Sequence, residues 1–178
     1  MKVLYYDCFC GISGDMNLAA LLDLGVDEHY LRQELSKLNL DAEYELQITK
    51  DMKKGISGTR ADVILKHAAH HHHDNNEVQN RVETDNNHTH HAHRNLKDIE
   101  NIILNSSLSD RVKELSLTIF MKVAEAEARV HGQPLYEVHF HEVGAVDSII
   151  DIVGAAVCLE YLKVDKIMSS SVQLGGGF

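Results

Sequence analysis

GAVDSIIDIVGAAVCLEYL, residues 144–162, decides how the rest of the chain must fold. Its apolar side chains run round most of a helix instead of forming one stripe. Such a helix has to be enclosed on nearly every side, so it belongs at the centre of the domain. Asp147 and Asp151 interrupt the apolar run one turn apart on one face, and Gly154 and Cys158 continue that face. A carboxylate pair on such a helix is costly to bury unless something pairs it.

Immediately before this helix, YEVHFHEV (136–143) reads as a short extended piece. His139 and His141 are two apart and would point to one side of an extended chain, with Glu142 next to them. Two imidazoles and up to three carboxylates meeting at a strand-to-helix junction would suit a hard or borderline divalent ion. The plainer alternative makes Asp147 a first-turn residue favoured by the helix dipole and the histidines a half-buried edge. Five ionisable groups between His139 and Asp151 exceed what capping needs. After the helix, KIMSSSVQL (166–174) reads as a last strand, and the chain stops at GGGF straight after an apolar run. That stop suggests a piece of a longer protein.

Further out, KVLYY (2–6) reads as a buried strand broken by CFCGISGD, after which MNLAALLDLG forms a short helix ended by Gly25. DEHYLRQELSKLN follows as a second helix with Asp27 as N-cap and Tyr30, Leu31, Leu35 and Leu38 on its apolar face. EYELQITK alternates cleanly, TRADVILK less so, and the pair predicts a hairpin around a glycine-containing loop. RNLKDIENIIL is a short amphipathic helix. A long helix follows, with Ser107 as expected cap and Gly132 and Pro134 at its end. The predicted class is α/β or α+β: a mixed sheet with helices packed on it. One domain over 1–178 would carry a flexible His-rich insert at 67–94.

The chain has 178 residues, 44% of them hydrophobic, and a formal charge of −10. That charge argues against nucleic acid and anionic membrane as partners. No run approaches the ~18 apolar residues of a membrane span. Three cysteines are too few for a disulfide framework, and a cytoplasmic location is expected. Homo-oligomerisation is left open.

The segment from His67 to His93 holds nine histidines in 27 residues and no apolar period. It should not fold alone. His70, His71, His72 and His73, with His88, His90, His91 and His93, offer overlapping imidazole pairs for late first-row divalent ions such as nickel. A flexible arm of this kind would capture and exchange ions. The tract is internal, interrupted and mixed with acids, unlike an expression tag, although a plain solvated linker is the alternative. Gly11, Ser13, Gly14 and Asp15 form a Gly-rich turn between strand and helix, where backbone N–H groups could gather round a phosphate. It matches neither a Walker loop nor G-x-G-x-x-G, and a structural turn is the plainer reading. Asp7 and Asp15 flank it, and Cys8 and Cys10 would share a side if the strand continued. GISG recurs at Gly55–Gly58 behind Lys53 and Lys54, where it reads first as a turn and second as a source of positive charge for a phosphate.

DCFCGISGDMNLAALLDLG, KKGISGTRADV and HFHEVGAVDSIIDIVGAA, in this order, resemble the LarC family of nickel-insertion proteins. The resemblance spans nearly the whole chain, and the His-rich insert between hairpin and helices fits it. It implies nickel insertion into a pyridinium bis-thiocarboxylic acid mononucleotide, giving the nickel-pincer cofactor of lactate racemase. It also implies a link to CTP with Mg²⁺ or Mn²⁺ through a C-terminal region absent from this chain. Under it, Gly11, Ser13, Gly14 and Asp15 would hold the precursor, and His139, His141, Glu142, Asp147 and Asp151 would carry the chemistry. His139 and His141 would also join the insert histidines as nickel ligands. The precursor, the C-terminal region and the lactate racemase apoenzyme would be the partners. Two other classes stand beside this reading: a nickel reservoir, and a metal-dependent phosphate-ester hydrolase or transferase built on the GISGD turn.

Overall fold

The computed structural model describes residues 1–66, 94–137, 140 and 144–175. The elements run β1 (Val3–Tyr6), α1 (Gly14–Asp23), α2 (Glu28–Ser36), β2 (Tyr44–Lys53), β3 (Ile56–Leu65), α3 (Leu96–Asn105), α4 (Asp110–His131), α5 (Val146–Leu162) and β4 (Lys166–Ser169). A 3-10 turn, Leu135–Glu137, occupies the start of the expected 136–143 strand. The remainder of that stretch, apart from Phe140, lies outside the described residues, as does 67–93.

The helix at 146–162 is central, as its composition requires. Ten of its 17 residues are buried, among them Ile149, Ile150, Val153 and Val157 with no exposed surface. At ~1.5–3 kcal/mol for each large aliphatic side chain removed from water, this helix supplies a major part of the core. α1, α2 and α4 pack on it. α1 comes close because Gly154 has no side chain: a Cβ there would lie 2.8 Å from Leu18 Cδ2. α2 is joined to its far end by the rings of Tyr30 and Tyr161, centroids 5.0 Å apart. α3 packs on α4 behind a complete capping box, in which Asn95 accepts from the N–H of Asp98 and Asp98 accepts from that of Asn95.

The strands form two small sheets instead of one mixed sheet. β1 and β4 pair in parallel, Val3 opposite Lys166 to Tyr6 opposite Ser169. β2 and β3 make a ten-pair antiparallel hairpin, Tyr44 opposite Leu65 to Lys53 opposite Ile56. The hairpin loop is Lys54–Gly55, with φ of +50° and +82°, the positive pair that a two-residue type I′ turn demands. α1 lies along β3, with the acceptor on Asp15 at Val63 and Asp23 at Thr59, and so covers the edge where β1 would have had to join. With α1 on that edge, β3 pairs only with β2.

Three local expectations change. α4 is capped by Ser109, not Ser107: Ser109 Oγ accepts from Val112 N–H at 3.2 Å and donates to Glu160 Oε1 at 2.7 Å. Cys8 is buried and Cys10 exposed, because β1 ends at Tyr6 and the two do not share a face. Arg94, assigned to the insert, belongs to the fold: its Nη2 donates to both carboxylate oxygens of Glu43 at 2.7 Å.

Candidate functional site

The GISGD turn is built by β1 ending early. Gly11 takes φ +82°, its N–H donates to Cys8 C=O, and Ser13 caps α1 by accepting from Met16 N–H at 3.2 Å. The next residue, Gly14, sits directly under Asp151 of α5. A Cβ on Gly14 would fall inside the Asp151 carboxyl group, so only glycine fits. The positive end of the α1 dipole is therefore already faced by a carboxylate from the central helix.

Asp151 Oδ1 is buried and has no hydrogen-bond partner among the described residues. Burial, and then the charges of Asp15 and Asp147, push its carboxyl up to about 7. Asp15 is raised as well, by burial and by Asp62 and Asp147, against opposing help from Arg60 and a backbone N–H at Val63. Asp15, Asp62, Asp147 and Asp151 thus form one acidic neighbourhood assembled from α1, β3 and α5. Among the described residues no group of three or more His, Cys, Asp or Glu side chains is close enough to hold a metal ion. The cluster is electrostatic, a place of high negative potential with an unsatisfied buried oxygen. His139, His141 and Glu142 lie outside the described residues, as do His70 to His73, His88, His90, His91 and His93. Gly144, which starts the approach to α5, is required by space: a Cβ would meet the carbonyl oxygen of Arg94.

Next to this acidic neighbourhood opens a cleft of about 750 Å³. One wall is Ser13, Asp15, Met16 and Ala19 of the first turn and helix. The other is the hairpin from Asp51 to Asp62, including Lys53, Lys54, Ser57 and Arg60. The volume lies within the ~300–1,000 Å³ usual for small-molecule sites. Ser13 of the first GISG segment and Ile56, Ser57 and Gly58 of the second, 44 residues apart in sequence, line the same cleft. The hairpin is pinned to the end of α1 by Asp23. Its Oδ1 accepts from Lys50 Nζ at 2.6 Å and Thr59 Oγ1 at 2.5 Å, and its Oδ2 from Thr59 N–H at 2.9 Å. These bonds hold the Asp23 carboxyl down at about 2.

The sequence reading placed Ser13 and Asp15 at the site, and both line the cleft. For the second GISG the sequence favours a turn, with Lys53 and Lys54 as positive charge for a phosphate the alternative, and it does not single out Arg60 or Asp62. The signal available was the repeat itself, standing next to two lysines in an acidic chain.

Fold and site together define an α/β domain that presents a partly buried acidic cluster beside an open, cation-bearing cleft. A family model described as "Nickel insertion protein" matches residues 4–178, and the chain belongs to that family. A protein of Clostridium acetobutylicum named pyridinium-3,5-bisthiocarboxylic acid mononucleotide nickel insertion protein is 64% identical, over all of this chain and 45% of its own length. Proteins of the same name from Clostridium kluyveri and Akkermansia muciniphila are 61% and 51% identical, over 42% and 40% of their lengths. The chain thus spans under half the length of these curated relatives. No solved structure matches it. Among the described residues no helix is long and apolar enough to cross a membrane.

Proposed function

We propose that this chain takes part in inserting nickel into pyridinium-3,5-bisthiocarboxylic acid mononucleotide, as one domain of a larger protein, and that the cleft between the two GISG segments receives the precursor. The observation that carries this reading is the junction of that cleft with the acidic cluster. A divalent ion and an organic acceptor need adjoining seats of this kind. The names of the relatives supply the substrate class.

In the reaction a nickel ion loses water, two sulfurs and a ring carbon bond to it, and the ring carbon releases its proton. Nickel is a substrate here. Gly11, Ser13, Gly14 and Asp15 would wall the precursor's seat. Asp147 and Asp151 would attract the ion electrostatically. A base must take the ring proton within hydrogen-bond reach, and His139, His141 or Glu142 is assigned that role. His139 and His141 would also ligate the ion as it is handed over. The insert histidines, His70 to His73 and His88, His90, His91 and His93, would collect nickel and release it below about pH 6 as imidazole protonates. The finer assignments follow the family resemblance: a lyase of the cytoplasm, linked to CTP with Mg²⁺ or Mn²⁺ through the C-terminal region, serving lactate racemase.

The test is metallation of the precursor, read by mass spectrometry, with this chain alone and joined to the rest of the protein. His141→Ala or Asp147→Ala should abolish the nickel-bearing product without loss of fold. Full product in both would remove the 139–151 stretch from the mechanism. Deleting 67–93 should reduce product at low nickel and spare it at high nickel. The nine-histidine composition favours a second reading, a nickel reservoir. Equilibrium dialysis separates the two, since a reservoir binds several ions without any organic ligand.

A further inference from the structure

The cleft has apolar walls, Met16, Ala19, Ile56 and Ala61 among them, and opposite charge at its two ends. Asp15 and Asp62 stand at the end that adjoins Asp147 and Asp151. Lys53 and Lys54 stand at the other end, at the hairpin loop. From Ile56 beside the loop to Asp62 the strand covers about 20 Å at ~3.3 Å per residue. That span suits a mononucleotide together with the reach of a lysine side chain.

The cations along it differ in their commitments. Arg60 Nε is paired to Asp62 Oδ2 at 2.6 Å, and Lys50 to Asp23. Neither Lys53 nor Lys54 has an ion-pair or hydrogen-bond partner among the described residues, and both are exposed. Lys54 holds its charge in the left-handed backbone region, where Gly, Asn or Asp would be less strained. In a chain of net charge −10, two uncommitted ammonium groups at the loop end of this cleft, with Asp51 the one acid beside them on that wall, make a local anion seat. The other expected anion seat, over Gly14, is covered by the Asp151 carboxylate. A phosphate dianion placed there would meet Asp15, Asp147 and Asp151 together.

We propose that Lys53 and Lys54 bind the phosphate monoester of the mononucleotide, so that the substrate lies along the hairpin with its pyridinium head at the acidic end. The phosphate and the incoming divalent ion are thereby kept apart, each at the end of complementary charge. This rests on the nickel-insertion reading for the nature of the substrate, and it moves the phosphate from the GISGD turn to the hairpin loop.

The experiment is calorimetric titration of the metal-free protein with three probes. They are nicotinic acid mononucleotide (a pyridinium carboxylate ribose phosphate), the riboside lacking its phosphate, and inorganic phosphate. The mononucleotide should bind at least tenfold more tightly than the riboside, with an advantage that shrinks as salt rises. K53A/K54A should erase that advantage, and K53R/K54R should keep most of it. Equal binding of mononucleotide and riboside, an advantage that survives K53A/K54A, or binding of neither would overturn the proposal. Inorganic phosphate matching the mononucleotide would reassign the seat to free phosphate and also overturn it. The readout uses no nickel. Failure to metallate the precursor while phosphate-dependent binding persists sinks only the reaction, and metallation without phosphate dependence sinks only the seat.

Discussion

The two GISG segments share four letters, and each sets its last glycine against an aspartate, yet their surroundings are opposite. Gly14 lies under Asp151, a half-buried carboxyl with one buried, unpaired oxygen, which burial and neighbouring acids push up to about 7. Gly58 lies 3.9 Å, by its missing Cβ, from Asp23, an accessible carboxyl held at about 2 by Lys50 and Thr59. One aspartate is stranded and the other is saturated. The difference teaches that a repeated tetrapeptide fixes neither shape nor chemistry: Gly14 opens α1 while Gly58 lies within β3, and each takes its chemistry from what the fold brings against it.

The largest test of that contrast is to add one methyl group to each glycine. Gly14→Ala must displace the Asp151 carboxyl and wedge α1 from α5, and should cost about 2–3 kcal/mol in urea unfolding. Gly58→Ala meets only ordinary contact and should change stability by under ~0.5 kcal/mol. Asp151→Ala in the Gly14→Ala background should recover much of the loss. Equal costs at the two glycines would break the comparison.

The next test exchanges each aspartate for asparagine and follows melting temperature with pH. Asp151 binds its proton more tightly folded than unfolded, so its contribution to stability falls as pH rises from about 4 to about 7 and stays low above that. Asp151→Asn should therefore melt higher than the parent at pH 8, by about 2–4 °C for each kcal/mol, with ~1–2 kcal/mol expected after allowing for partial exposure. The two should converge near pH 4. Asp23 has the opposite sign: its stabilisation is present above about pH 4 and is lost as pH falls toward about 2. Asp23→Asn should melt lower at pH 7, by no more than ~1 kcal/mol for so exposed a group, and match the parent near pH 2. The smallest expected effect is K53A/K54A, within ~0.5 kcal/mol of the parent, since the loop lysines hold nothing in place.

Much of the fold was legible because it is local. The apolar circumference of 146–162, the Asp27 cap accepting from Tyr30 N–H at 2.8 Å, and the β2–β3 alternation all follow from short-range patterns. Ser107 and Ser109 both precede a helical period, and the one that caps also donates to Glu160, 51 residues away and out of reach of local pattern. The division into two sheets was not legible, because it depends on α1 lying along β3. The same is true of the site. Asp147 and Asp151 stood out as acids on an apolar helix, but the partners that matter, Asp15 and Asp62, come from α1 and β3. Lys53 and Lys54 were legible as positive charge, but not as part of a cleft wall, because a hairpin loop and a cleft wall have the same local spelling.

The central claim is that one substrate lies between the two GISG segments. Backbone amide shifts of the isotope-labelled protein, recorded as the pincer mononucleotide precursor is added without nickel, test it most directly. The account predicts saturable shifts at Ser13 and Asp15 together with Lys53, Ser57 and Arg60, all with one dissociation constant. Shifts confined to one of the two segments, or found at neither, would contradict it.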